Sequence, residues 1–387
     1  MNPPRDPIAR AASTPNLIDP PQPGQEWLRE FLTPSLLDAR VYRIDTPDCP
    51  VKLDQNESPF DWPQALKDKV LKRLSTTAWN RYPSAYNDEL TASVARHCGV
   101  NPGSVLLGPG SNYLIALLLS TFTRRMSGKV VIARPSFALY ESHCHYEGIP
   151  YELWNLDKNM QYDVRQLPPL VPGSIVVFAS PNNPVGNVLP VRELRALLTT
   201  HPDVLFFADE AYVEFSAEPY TELLRDFHNL VLLRTFSKTM GAAGVRLGYL
   251  IGPRTLIAEL RKLRLPFMIN QFAAIAADVA LTDPETTEHF RKLVALAQAE
   301  RGKMQRRLAA VGAKSKHGFA VVESSANFIL LRWQDVSAAK RAYQAMVDAG
   351  VLVRDVSGGR GLDGCLRVTV GQESENQKFL DAAERVW

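Results

Sequence analysis

The sequence predicts an α/β protein: a large domain with a mostly parallel seven-stranded sheet covered by helices, joined to a smaller α+β domain. Three observations carry that expectation. Between about residues 76 and 290, short and nearly continuous apolar runs alternate with helical stretches, the pattern of strands covered on both faces. After Pro284 the alternation gives way to a long amphipathic stretch and then further strand-like runs. The chain of 387 residues, 45% hydrophobic and 22% charged, is large enough for one large domain with a smaller one appended.

The elements follow in order. Residues 1–25 are rich in proline, from Pro3 to Pro23, and read as an extended or disordered tail. Residues 76–289 read as the large domain. Its strands are expected at Val105–Leu107, Val130–Ala133, Tyr151–Trp154, Ile175–Phe178, Val204–Phe207, Leu230–Leu233 and Gly248–Ile251. One helix follows Asn87 with Leu90, Val94 and Cys98 on one side, and another starts at Ser111 with Leu114, Leu117 and Leu118. Residues 290–387 read as the small domain. A helix through Phe290, Leu293, Val294 and Ala297 precedes strands at Ala320–Val322, Phe328–Leu331 and Leu366–Val370, with a helix around Tyr343 and Met346. Residues 26–75 are assigned to the same small domain, because chain ends often lie close together.

Composition narrows the function. Net charge is +3, from 44 basic and 41 acidic residues without a basic block, which argues against nucleic acid or an anionic membrane as the main partner. Four scattered cysteines suit a reduced cytoplasmic protein. His143-Cys144-His145 lacks a second ligand pair, so no metal is expected. No signal peptide is expected, and the apolar stretch Leu114–Leu119 is too short to span a bilayer.

The polar signals collect just past the strand ends, where open α/β sheets hold ligands. Gly108-Pro109-Gly110-Ser111-Asn112 opens a helix and suits a phosphate. Ser180-Pro181-Asn182-Asn183-Pro184-Val185-Gly186 is a stiff loop that aims Asn183 at a fixed point. Asp209, closing an apolar strand, needs a cationic partner such as a protonated pyridine nitrogen, and Tyr212 lies three residues on. Thr235-Phe236-Ser237-Lys238 and Arg246 add a Schiff-base lysine with two phosphate donors. Together these groups are what a pyridine aldehyde phosphate needs. Gly359-Arg360-Gly361-Leu362-Asp363-Gly364 spells a dinucleotide fingerprint, but it precedes a strand instead of opening a helix and is set aside.

These motifs resemble the signature set of the fold-type I aminotransferases that use pyridoxal 5'-phosphate (PLP). Leu53-Asp54-Gln55-Asn56-Glu57-Ser58-Pro59, Arg81-Tyr82-Pro83, Arg234-Thr235-Phe236-Ser237-Lys238, Ala326-Asn327-Phe328 and Cys365-Leu366-Arg367-Val368-Thr369-Val370-Gly371 are similar to the histidinol-phosphate aminotransferase family over roughly residues 30–387. The resemblance implies that Lys238 bonds the cofactor and shuttles a proton, and that Asp209 keeps the ring nitrogen protonated. Asn183 and Tyr212 would reach the ring hydroxyl, and Phe137 would stack on the ring. Ser111, Asn112, Ser237 and Arg246 would surround the phosphate, joined by Tyr82 from a second subunit of a homodimer with shared sites. Arg367 would clamp a substrate carboxylate, and Arg354 and Asn56 would line the far end of the pocket. The implied reaction is ping-pong transfer of an amino group between a small-molecule amino donor and a keto acceptor. For that family this means histidinol phosphate and 2-oxoglutarate, a step in amino acid biosynthesis.

The sequence departs from the family pattern at three places. Phe31-Leu32-Thr33-Pro34-Ser35-Leu36-Leu37 lacks the usual tyrosine, Asn112-Tyr113 replaces an acidic pair, and Val185 stands where threonine is common. An aromatic or other amino acid transaminase stays open on sequence, as does a lyase similar to the threonine-phosphate decarboxylases. A non-catalytic ligand sensor on the same fold would carry a DNA-binding module ahead of it, and the proline-rich tail does not read as one.

Overall fold

The computed structural model describes residues 22, 24–39, 47–123, 127–315 and 318–387. The expected tail at 1–25 falls almost wholly outside the described residues. In chain order the strands are β1 (Val51–Lys52), β2 (Val105–Gly108), β3 (Val130–Arg134), β4 (Tyr151–Asn155), β5 (Ile175–Ala179), β6 (Leu205–Asp209), β7 (Leu230–Thr235), β8 (Gly248–Ile251), β9 (Phe319–Val322), β10 (Phe328–Trp333), β11 (Val351–Leu352), β12 (Arg354–Asp355) and β13 (Cys365–Thr369).

Seven of these form one sheet in the order β2-β8-β7-β6-β5-β3-β4. β8 alone runs against its neighbours, inserted between β2 and β7; the pairs from β7 across to β4 are parallel. Each apolar run conceals a period-two alternation. Val130, Ile132, Ile175, Val177, Phe207, Val231 and Leu233 enter the cluster on one face. Val131, Ala133, Val176, Phe178, Phe206, Ala208, Leu230 and Leu232 enter the cluster on the other. Both faces are covered by helices, so β2, β5, β7 and β8 are buried at every position, while the edge strand β4 keeps Glu152 and Asn155 exposed.

Strand order reverses beside β3 and β5: β4 lies outward of β3, while β6 and β7 step away on the far side. A ligand crevice forms outside the C-terminal ends at such a reversal. The loops after β3, β5, β6 and β7 all open there.

A second, antiparallel sheet has the order β12-β13-β10-β9, and β1 pairs in parallel with β11. The cluster beneath joins Val51 and Leu53 to Ile329, Leu331, Val368 and Phe379. The helix Pro284–Lys314 bridges the two halves: Phe290 packs in the large-sheet cluster and Met304, Leu308 and Val311 in the small one. Its start is fixed by Pro284 in the first turn and by the Asp283 carboxylate, which accepts the Glu285 N–H at 3.0 Å. One expectation shifts. The helix Gln64–Ser75, assigned above with the small domain, buries Val70 in the large-sheet cluster, with Leu74 packed against it. The closeness of chain ends, on which that assignment rested, does not fix this helix, which packs on the helix Gln271–Thr282. Among the described residues no helix is long and apolar enough to cross a membrane.

Candidate active site

Three strand ends meet around an anion-sized turn. Gly108 pairs with Gly248, and Gly248 with Thr235, so Ser111, Arg246 and Ser237 all lie at one end of the sheet. Gly110 has φ +87°, and a β-carbon on it would lie 2.7 Å from Nη2 of Arg246. The guanidinium therefore leans over the turn that starts the helix Ser111–Thr123. A β-carbon on Gly248 would likewise lie 2.8 Å from the Ser111 nitrogen. Arg246 is exposed and donates through Nη1 to the Ala243 carbonyl at 3.0 Å. Ser237 is buried, and its hydroxyl accepts from Thr235 Oγ1 at 3.0 Å. Asn112 sits exposed in the first helical turn. Helix N–H groups, a guanidinium and hydroxyls at one point make an anion site.

The next strands supply the floor. Asp209 ends β6 and is buried. Its Oδ2 accepts from the Tyr140 hydroxyl at 2.5 Å and its Oδ1 from the Ala211 N–H at 2.9 Å. Burial pushes its pKa up to about 6, against the pull of those two donors. The neighbouring Glu210 turns the other way, into a buried pair with Arg234 at 2.7 Å. Phe137 is half-buried and meets Tyr140 edge-on, with ring centroids 5.7 Å apart.

Lys238 lies three residues beyond β7. Its Nζ donates to the Gln55 carbonyl at 3.0 Å and sits 5.8 Å from the centre of the Tyr212 ring. The Tyr212 hydroxyl accepts from Asn56 Nδ2 at 3.0 Å. Asn56, at φ +53°, is held on several sides. Its N–H donates to Thr369 Oγ1 at 2.9 Å, its Oδ1 accepts from that hydroxyl at 3.1 Å, and its carbonyl accepts from Asn327 Nδ2 at 3.2 Å.

Arg367 faces the same space from the second sheet. Its Nη1 donates to Asn183 Oδ1 at 2.5 Å and its Nη2 to the Asp54 carbonyl at 2.7 Å. Arg354 is its direct partner in the β12–β13 ladder, so the two side chains leave the same face of the sheet. Tyr82 is placed differently. It is 81% exposed and stacked on Phe267 at 4.7 Å, and its chain neighbour Trp79 is exposed as well.

Three participants escaped the sequence reading. Asp54 and Gln55 act through backbone carbonyls, which leave no trace in residue type. Tyr140 did leave a signal: it falls one helical turn after Phe137, and a buried tyrosine hydroxyl needs a partner.

The residues fit a phosphorylated pyridine aldehyde: an anion site, a buried carboxylate and an amine follow the ends of neighbouring strands at one edge of the sheet. Comparison with known proteins agrees. The family model described as aminotransferase class I and II matches residues 49–382. The chain belongs to that family of PLP-dependent aminotransferases. Its relatives there include the histidinol-phosphate aminotransferase of Thermococcus gammatolerans, 34% identical over 348 residues, covering 89% of this chain and 94% of that one. Among solved structures, the histidinol-phosphate aminotransferase of Clostridium acetobutylicum superposes with a TM-score of 0.76 at 25% identity, covering 87% of this chain and 98% of that one. The Sinorhizobium meliloti histidinol-phosphate aminotransferase, solved with pyridoxal-5'-phosphate, shares the fold at a TM-score of 0.76 and 22% identity, covering 92% and 97%.

Proposed function

We propose that this chain moves the amino group of histidinol phosphate to 2-oxoglutarate, giving imidazole-acetol phosphate and glutamate. The observation that carries this reading is the pairing of Arg354 with Arg367 on one face of the second sheet. Two arginines paired on one face of a sheet suit a dianionic substrate end, either a phosphate or the second carboxylate of a dicarboxylate. The bound cofactor supplies an aldehyde that condenses with amines and a ring that draws electrons from the substrate α-carbon.

The chain's own groups do the rest. Ser111, Asn112, Ser237 and Arg246 hold the cofactor phosphate. Asp209 meets the ring nitrogen, Phe137 covers the ring, and Asn183 and Tyr212 orient its hydroxyl side. Lys238 Nζ exchanges with the substrate amine and then carries the proton off the α-carbon. Arg367, held by Asn183 and the Asp54 carbonyl, fixes the anionic end. Asn56 holds Tyr212 in place and lines the far end of the pocket.

The enzyme works as a homodimer with shared sites. The exposed, stacked rings of Tyr82 and Phe267 support that reading, because exposed aromatics in contact suit a partner, and Tyr82 then reaches the partner's phosphate site. The chain divides into a large cofactor-holding part and a smaller part, with the helix Gln64–Ser75 belonging to the large one. Four free cysteines support a cytoplasmic, reducing setting.

The test is a half-reaction screen on loaded enzyme, following loss of the cofactor's aldehyde absorbance. Rapid loss with histidinol phosphate and glutamate, and little with other amines, is expected. Loss with aromatic amino acids but none with histidinol phosphate overturns the substrate assignment. Carbon dioxide release from threonine phosphate would make the enzyme a lyase.

A further inference from the structure

We propose that Tyr140 is a positioning residue that keeps Asp209 ionised and aimed into the crevice, and that ties this carboxylate to the ring-covering Phe137. The proposal rests on the reading of Asp209 as partner of the ring nitrogen.

Tyr140 is fully buried on the helix Leu139–Tyr146, and its hydroxyl is the one side-chain donor to Asp209 among the described residues. The other donor is the Ala211 backbone, which no substitution of side chain removes. Each carboxylate oxygen thus has one donor, leaving acceptor capacity for a third partner. The same tyrosine ring meets Phe137 in a T-shaped contact, with the ring planes at 85°. One residue therefore contacts both the floor and the cover of the cofactor position.

The charged and titratable surroundings favour this assignment. Glu210 beside Asp209 raises its proton affinity, but that charge is matched by Arg234. Tyr162 and Tyr212 also face the pair, and no cation acts among the causes of the Asp209 shift. Burial, followed by the Asp209 charge, holds the Tyr140 hydroxyl well above its ordinary pKa. The proton therefore stays on Tyr140 and the tyrosine acts as a donor throughout the working pH range.

Tyr140→Phe removes the donor and keeps the ring. In cofactor-free protein, infrared difference spectra against Asp209→Asn report the Asp209 carboxyl directly. The expected result is a rise in its midpoint of about one to two pH units, or ten- to a hundredfold in proton affinity. In loaded enzyme the pH midpoint of the cofactor absorbance shifts and kcat falls about tenfold, with KM for the amino donor little changed. An unchanged Asp209 midpoint and an unchanged absorbance profile overturn the proposal. Asp209→Asn separates the two layers. If that variant itself leaves cofactor affinity and absorbance unaltered, the reading of Asp209 fails, and the role of Tyr140 with it. If Asp209→Asn acts and Tyr140→Phe does not, the Tyr140 proposal alone falls.

Discussion

The guanidinium of Arg246 occupies the space that a side chain on Gly110 would fill: a β-carbon there would stand 2.7 Å from Nη2. Gly110 also holds φ +87°, which a side chain resists at a cost of about 1–3 kcal/mol. Gly110→Ala therefore displaces the arginine and strains the turn at once. Cofactor affinity should fall at least about tenfold, read by absorbance titration of the cofactor-free protein.

Arg367 contacts Asn183 and the Asp54 carbonyl through two different nitrogens. Lysine keeps the charge but not the fork. Arg367→Lys should raise KM for the amino donor about tenfold or more with a smaller change in kcat, measured by steady-state kinetics. An unchanged KM would remove Arg367 from substrate binding.

Asp209 makes stability depend on pH. In the folded, cofactor-free chain its pKa is about 6, against 3.8 for the ordinary group. The folded state thus binds this proton more tightly than the unfolded state. The stability it contributes is fully present below about pH 4 and is lost as pH rises through about 6. Asp209→Asn abolishes that loss. Relative to the variant, the cofactor-free parent should lose about 2 kcal/mol between pH 4 and pH 7 in denaturant unfolding.

Glu210 and Arg234 form a buried pair, and Glu210 also accepts the Tyr220 N–H at 2.7 Å. Glu210→Gln removes the carboxylate paired with the guanidinium and leaves Glu214 as the remaining nearby counter-charge. A stability loss of about 3 kcal/mol is expected in chemical denaturation, because a buried ion pair loses one partner.

Tyr82 tests the shared-site arrangement. Subunits carrying Tyr82→Ala and subunits carrying Lys238→Ala should each be nearly inactive. Mixing them under exchange conditions should restore activity, because one site of each mixed dimer then holds an intact Lys238 and an intact Tyr82. Absence of any recovery in verified mixed dimers would assign Tyr82 to the site of its own subunit, and full activity of Tyr82→Ala alone would place it outside the site.

Much of this site was legible in the sequence because an apolar strand that ends in a charged residue is a physical oddity. Asp209 closing Leu205–Ala208 and Lys238 following Leu230–Thr235 both stand out that way. The seven strands were legible for the same reason, through their apolar runs. The reversed insertion of β8 was not, because Gly248–Ile251 reads the same whichever way it runs. Contacts between distant segments were equally hidden. The grip of Asn56 on Tyr212 and of the Asp54 carbonyl on Arg367 depends on how the two sheets meet, which no local pattern encodes. Tyr140 was not singled out, although it follows Phe137 closely: its ring is core, and only its hydroxyl serves the site.

The parallel pairing of Val51–Lys52 with Val351–Leu352 also sets an order of assembly. During synthesis the seven-stranded sheet has all its strands once Ile251 emerges from the ribosome. The segment leading into Asn56 has no edge to join until residues near the C-terminus follow. A translating ribosome therefore carries the lysine with one wall of its crevice still to be synthesised.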